Sequence, residues 1–192
     1  MTQTGRTPLL WSGIAVAGMT VLGLAVRNGS TPLDNWFRRF DDSPARYLLF
    51  FTDPWVLTLA TLFGVAVAVH LHRNRLAVAM VISPLVGVAL AQLCKRLIDR
   101  RSGGEYAYPS GHTTTAVVVL GMLVLLAGAA WWAVLAAAAA SLFAMIGQGV
   151  TYHYFTDTVG AVLLGSAVVC AAAAAIRLDT RQPDCDADHT AG

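Results

Sequence analysis

The chain has 192 residues, of which 56% are hydrophobic and only 12% charged, with a formal net charge of +2. Soluble domains carry about 25% charged residues, so the composition excludes an ordinary soluble fold and points to a membrane. The small charge, without a basic block or an aromatic-basic array, excludes a nucleic-acid partner.

A spanning helix needs about 20 largely apolar residues, and six stretches qualify: 8–26, 54–70, 76–94, 111–131, 132–148 and 158–176. Arg6 ahead of the first run gives it the look of a secretory signal. The run is long, however, and ends in Arg27-Asn28-Gly29 without a small-residue cleavage pattern, so it reads as a helix. Residues 31–42 mix aromatic and charged side chains and read as an interfacial helix. Ser43-Pro44 is a good helix start and Asp53-Pro54 bends the chain at that point. The second element therefore runs from about 44 to 70 with a bend. His70 and His72, two apart beside Arg73 and Arg75, read as interfacial. The stretches 132–148 and 158–176 are rich in Ala, Gly and Ser. Small residues let helices approach closely in lipid, and here they are expected to leave room for a lipid chain. The polar stretch 178–192 reads as disordered. The expectation is thus an all-α, six-helix transmembrane domain over 1–177 and a tail. Cys94 and Cys170 sit in apolar runs and Cys185 in the tail, as inert packing thiols rather than a disulfide framework.

Counting crossings brings three polar clusters to one face of the membrane. Lys95, Arg100 and Arg101 follow the third span, and Pro109-Ser110-Gly111-His112 opens the fourth. The chain returns through the fifth span and presents His153 and Asp157 at the start of the sixth. With Lys95, Arg100 and Arg101 set aside as site residues, the remaining basic residues divide evenly between the two faces, so the positive-inside rule gives no orientation.

Each cluster suits phosphate chemistry. Ser110 reads as a helix cap, and the free amides and dipole of a helix start attract anions. Gly111 lets a phosphate approach the backbone without a Cβ in the way, and His112 places a proton donor beside it. His153 and Asp157 are four apart and can meet. A carboxylate on one imidazole nitrogen fixes the tautomer and frees the other nitrogen as a nucleophile. Arginine suits bidentate phosphate contact and lysine point-charge neutralisation. Taken singly, each cluster also has an ordinary reading: capping, an interfacial histidine, or basic side chains reaching lipid headgroups. A metal held by His112, His153 and Asp157 is the rival, but on that face only Glu105 could add a ligand, and the cations oppose a bound cation. A transporter or channel fits less well, because transport sites sit near mid-bilayer.

The order and spacing over residues 95–157 resemble the type 2 phosphatidic acid phosphatase family, six-span lipid phosphatases related in their site to vanadium haloperoxidases. That family carries a Lys followed by Arg-Pro, then Pro-Ser-Gly-His, then Ser-Arg and His-x-x-x-Asp. The resemblance implies that His153 attacks phosphorus to form a phosphohistidine, oriented by Asp157. His112 would protonate the leaving oxygen and later help activate water. Lys95, Ser110 and the Gly111 amide would bind phosphoryl oxygens, with Arg100 or Arg101 reaching the same phosphate, and with no metal or cofactor. It also implies a plasma (inner) membrane location with an extracytoplasmic site, and a lipid substrate such as a polyprenyl diphosphate or polyprenyl phosphoryl sugar phosphate. Two positions differ from the family pattern. Ser102 and Gly103 stand in place of Arg-Pro, and Gly147, followed by Gln148, stands in place of the third-motif Arg. Loss of one charged donor costs on the order of a hundredfold in rate. Three readings stay open: a phosphatase in which Arg101 compensates, a slow phosphatase, or a degenerate relative that binds a lipid phosphate or a membrane partner.

Overall fold

A computed structural model describes residues 6–102 and 104–179. Among them the chain forms seven α-helices, one 3-10 segment and one short hairpin. Helix α1 (Arg6–Ala25) leads to the short α2 (Pro32–Arg38). The start of α2 is a capping box: Thr31 Oγ1 accepts from the Asp34 amide at 3.2 Å, and Asp34 Oδ2 accepts from the Thr31 amide at 2.9 Å. It is shorter than the expected 31–42, because the chain turns after Arg38 and restarts at Ser43.

A 3-10 segment, Pro44–Thr52, precedes α3 (Pro54–His70). Asp53 explains the bend between them, since its Oδ1 accepts from the Trp55 and Val56 amides at 2.9 and 3.1 Å and starts a new helix. Helix α4 (Asn74–Ile98) outruns the expected 76–94 and carries Lys95 in its last turn; it stops at Asp99, in the left-handed region at φ 52°. Strands β1 (Arg101–Ser102) and β2 (Glu105–Tyr106) form an antiparallel hairpin, Arg101 opposite Tyr106 and Ser102 opposite Glu105.

Helix α5 (Gly111–Leu126) ends five residues before the expected boundary, because the chain turns at Gly128 and Ala129, both with positive φ. Helices α6 (Trp131–Thr151) and α7 (Phe155–Asp179) come next. They extend into the expected loop by three residues each, which puts Asp157 in the first turn of α7, while Gly147 and Gln148 lie inside α6 as expected. The stretch expected as a tail lies, from residue 180 on, outside the described residues.

α5 is the centre of the bundle, packed by α3, α4, α6 and α7. Its Ala116, Val118, Val119 and Met122 are buried. The outer surface is the reverse of a soluble protein's: Leu10, Ile14, Leu59, Leu85 and Trp131 are all exposed. α1, the stretch Pro44–His70, α4, α6 and α7 are each long and apolar enough to cross a membrane. An exterior of this kind suits a multi-pass protein embedded in lipid. A cleft between α3 and α4 offers room for a lipid chain, and so does a second apolar cavity of about 720 Å³, where Ala167, Ala171 and Ala175 of α7 face Val78, Ile82 and Val86 of α4. Ala136, Ala138 and Ala139 of α6 are exposed on the outer surface.

Candidate active site

The ends of four helices meet at one end of the bundle. α4 delivers Lys95 there, the start of α5 delivers Gly111 and His112, and the turn between α6 and α7 delivers His153. All four line a cleft of about 780 Å³. His112 thus shares one cleft wall with His153 and Lys95. Gln92, Ser102, Glu105 and Tyr106 complete the polar mouth, and Leu57, Leu62, Val65, Val81, Leu85 and Val88 continue the cleft between α3 and α4 as an apolar groove.

The loop before α5 is pinned from below. Tyr108 is buried and its hydroxyl donates to the Met19 carbonyl at 2.5 Å, tying the loop to α1. Gly160 makes this fit, because a Cβ there would stand 2.3 Å from the Tyr108 ring. Burial pushes the Tyr108 phenol well up, so it remains a neutral donor. The Ser110 amide then donates to the Asp157 carbonyl at 3.1 Å, which locks the start of α5 to the start of α7.

Ser110 is buried, and its Oγ accepts from the Thr113 amide at 3.4 Å and from the Thr113 hydroxyl at 3.1 Å. It caps α5 beneath the cleft rather than lining it. Gly111 faces the cleft, and a Cβ built on it would meet nothing within 4 Å.

His153 Nδ1 lies 3.6 Å from Asp157 Oδ2, one small rotation from a hydrogen bond, and is otherwise without a partner. Asp157 is 0% exposed. Its Oδ2 also accepts from the Tyr154 amide at 3.1 Å, and its Oδ1 faces Arg100. With Nδ1 turned toward the carboxylate, Nε2 is the ring nitrogen left for chemistry.

Two of the expected phosphate ligands are committed elsewhere. Arg100 is 0% exposed, with Nη1 donating to Thr156 Oγ1 at 2.7 Å and Asp157 Oδ1 at 2.5 Å. Its Nη2 donates to the Gly29 carbonyl at 2.8 Å and Asp34 Oδ2 at 3.0 Å, and its guanidinium covers the Tyr154 ring. A side chain holding two buried carboxylates has no fork left for a substrate. Arg101 is exposed, paired with Asp99 at 3.0 Å and stacked on Tyr106, and is not part of the cleft wall.

Asp34 is a site residue that the sequence did not single out. Burial works to raise its carboxyl, but hydrogen bonds from the amide and hydroxyl of Thr156 and from Thr31 together hold it below the ordinary carboxylate value. The Thr31-x-x-Asp34 capping pattern is visible in the sequence; the second use of that carboxylate, against Arg100 and the start of α7, is not.

Gly147 stands in a close backbone contact. A Cβ on Gly147 would stand 2.7 Å from the Leu48 carbonyl carbon and the Leu49 amide nitrogen, so no side chain fits against the 3-10 segment. Gln148 is buried too, its Nε2 donating to Thr52 Oγ1 at 2.8 Å. Among the described residues no three His, Cys, Asp or Glu side chains stand together as a metal-ligand set. No protein-family model, no curated protein and no solved structure matches the chain.

Proposed function

We propose that the chain is an integral-membrane lipid phosphatase of the type 2 phosphatidic acid phosphatase kind, crossing the membrane six times, with α5 as the sixth crossing. At 16 residues α5 is short, about 24 Å of helix against a hydrocarbon core of about 30 Å. Its central place in the bundle, away from lipid, makes that length workable. The membrane is the plasma (inner) membrane and the cleft opens on its extracytoplasmic side. The substrate is a phosphomonoester or diphosphate of a membrane lipid, with polyprenyl diphosphates and polyprenyl phosphoryl sugar phosphates foremost.

The observation that carries this reading is the shape of one cleft: Lys95, His112 and His153 at its mouth and an apolar groove below them. A phosphate at the mouth and a lipid chain in the groove use both parts at once. Lys95 neutralises phosphoryl charge, and the Gly111 amide with the start of α5 supplies further donors. His153 Nε2 attacks phosphorus, forming an N–P bond as the P–O bond to the lipid breaks. His112 gives its proton to the departing oxygen. Neutral again as a base, it then takes a proton from water, which attacks phosphorus, breaks the N–P bond and releases inorganic phosphate. Asp157 steadies the imidazole through Nδ1, and Arg100 steadies Asp157. Most of the rate gain in such a transfer comes from positioning and charge stabilisation.

Gly147 favours a second reading, in which the chain binds a lipid phosphate or a membrane partner without turnover. One experiment separates the two. Purified protein in detergent is given polyprenyl diphosphate, polyprenyl phosphoryl sugar phosphate, phosphatidic acid and phosphatidylglycerol phosphate with EDTA present, beside His153→Ala. Phosphate release that survives EDTA and vanishes in the variant supports the phosphohistidine enzyme. No release from any lipid by folded protein supports the binding reading.

A further inference from the structure

The phosphatase reading leaves the cleft short of positive charge. Gly147 cannot carry a side chain, Arg100 is enclosed, and Arg101 turns to Asp99. Among the described residues Lys95 is then the single Lys or Arg on the cleft wall, facing a phosphate that gains charge on its equatorial oxygens as it transfers.

Arg38, the last residue of α2, lies beside this mouth. Its Nη2 donates to Ser102 Oγ at 3.1 Å, and its guanidinium sits 4.4 Å above the Tyr154 ring centroid. Ser102 lines the cleft, and Tyr154 is next in the chain after His153. Both anchors are neutral, a hydroxyl and an aromatic face, and among the described residues no carboxylate stands within ion-pair distance of Arg38. Its charge is therefore unmatched and exposed, and it is bonded to a residue of the cleft wall. Arg39, next in the chain, is equally exposed but has no such link to the hairpin or to the α6–α7 turn among the described residues.

The base of α2 is also anchored to the bundle at two points. Asp34 holds it to Arg100 and Thr156, and Phe37 stacks on Phe155 with ring centroids 4.0 Å apart. Those contacts fix where Arg38 begins, and its guanidinium extends to Ser102. A guanidinium there presents a planar fork suited to two phosphoryl oxygens.

We propose that Arg38 is the second phosphate-binding cation of this site, supplied by α2 across the hairpin in place of the arginine that Gly147 excludes. The proposal rests on the phosphatase reading, and its test keeps the two apart. Turnover of the best lipid of the panel is measured for the full chain, Arg38→Gln, Arg38→Lys, Arg39→Gln and His153→Ala. Arg38→Gln removes the charge together with the guanidinium stacked on Tyr154, and matching thermal unfolding confirms that it folds. Its kcat/KM is expected to fall on the order of a hundredfold, with partial recovery in Arg38→Lys and little change in Arg39→Gln. Added guanidinium ion restores part of the Arg38→Gln loss. Equal effects of Arg38→Gln and Arg39→Gln overturn the proposal. Binding of inorganic phosphate, monitored by phosphorus NMR on the same proteins, covers the other case. If no lipid is hydrolysed but Arg38→Gln abolishes phosphate binding, the phosphatase reading fails and Arg38 stands. If Arg38→Gln binds phosphate as the parent chain does, the role of Arg38 falls.

Discussion

The two ends of the helical bundle use arginine in opposite ways. At the end away from the cleft, Arg73 is exposed and donates to the Leu126 and Leu125 carbonyls at 2.8 and 3.4 Å, capping the last turn of α5. At the cleft end, Arg100 is sealed from solvent between the carboxylates of Asp34 and Asp157. A cation at a helix C-terminus contributes about 0.3–1 kcal/mol. A buried charge cluster contributes little net stability, because desolvation offsets the Coulomb gain, and it becomes costly once one member is lost. Protein folds have cheaper ways to close a loop. What the cluster does achieve is to fix Asp157, and with it the orientation of His153, against the start of α5. The end of the bundle that carries the cost of burying charge is the end where side-chain position has to be held.

The sharpest way to break this comparison is at Asp157. Asp157→Asn retains the shape but hands His153 an amide in place of a carboxylate. Turnover is expected to drop about 10⁴-fold, the scale found when the orienting carboxylate of a serine-protease histidine is replaced. Phosphate release in detergent reads this, and a loss within tenfold would mean that Asp157 serves structure alone. Arg100→Ala comes next. It leaves two buried carboxylates facing each other, and unfolding in denaturant should show a loss of about 3–5 kcal/mol. Arg73→Ala at the other end should cost no more than about 1 kcal/mol. Similar losses for the two variants would erase the difference between the ends.

Much of this is legible in the sequence, for physical reasons that differ from region to region. Long apolar runs must become helices in lipid, because no other open structure satisfies the backbone there. The helices therefore stand close to where hydropathy puts them, and the bend at Asp53-Pro54 comes from a cap and a ring. The convergence of Lys95, His112 and His153 is legible as well, since crossing parity is a matter of counting. The fate of Arg100 and Arg101 is not. Both arginines come after the same helix, but Asp99 in a left-handed conformation turns the chain so that one points inward and the other to solvent. Local sequence carries no sign of which is which. Nor does it reveal that Asp34, about 120 residues from α7 along the chain, closes the cluster.

Against the motif it resembles, Gly147 is a missing charge, and the structure adds a second meaning, a missing volume. Gly147→Ala should therefore destabilise by about 1–3 kcal/mol, the range for an overpacked contact, because the Leu48–Leu49 backbone has to move. Thermal unfolding measures it. An alanine tolerated without loss would mean that the 3-10 segment yields easily, and that the absence of arginine is a matter of charge alone.

The smallest expected effect is an acid one, and it tests the cleft end through Asp34. Its folded carboxyl sits below the ordinary value of 3.8, so the folded state holds the ionised form more strongly than the unfolded chain does. The stabilisation from that preference is complete above the ordinary value and is lost as pH falls through the lower, folded value. From neutral pH down to about 5 this group should leave stability unchanged; the decline begins near the ordinary value and steepens below it. Asp34→Asn removes the titration while keeping an acceptor for the Thr156 amide, so its acid limb should be flatter than that of the parent chain. Arg73→Ala should leave that limb as it was, because a guanidinium on backbone carbonyls has nothing to titrate in acid. If Asp34→Asn and the parent chain lose stability in parallel below about pH 4, the carboxylate is not what holds α2 to α7, and the anchoring of α2 from which Arg38 extends to Ser102 would need another source.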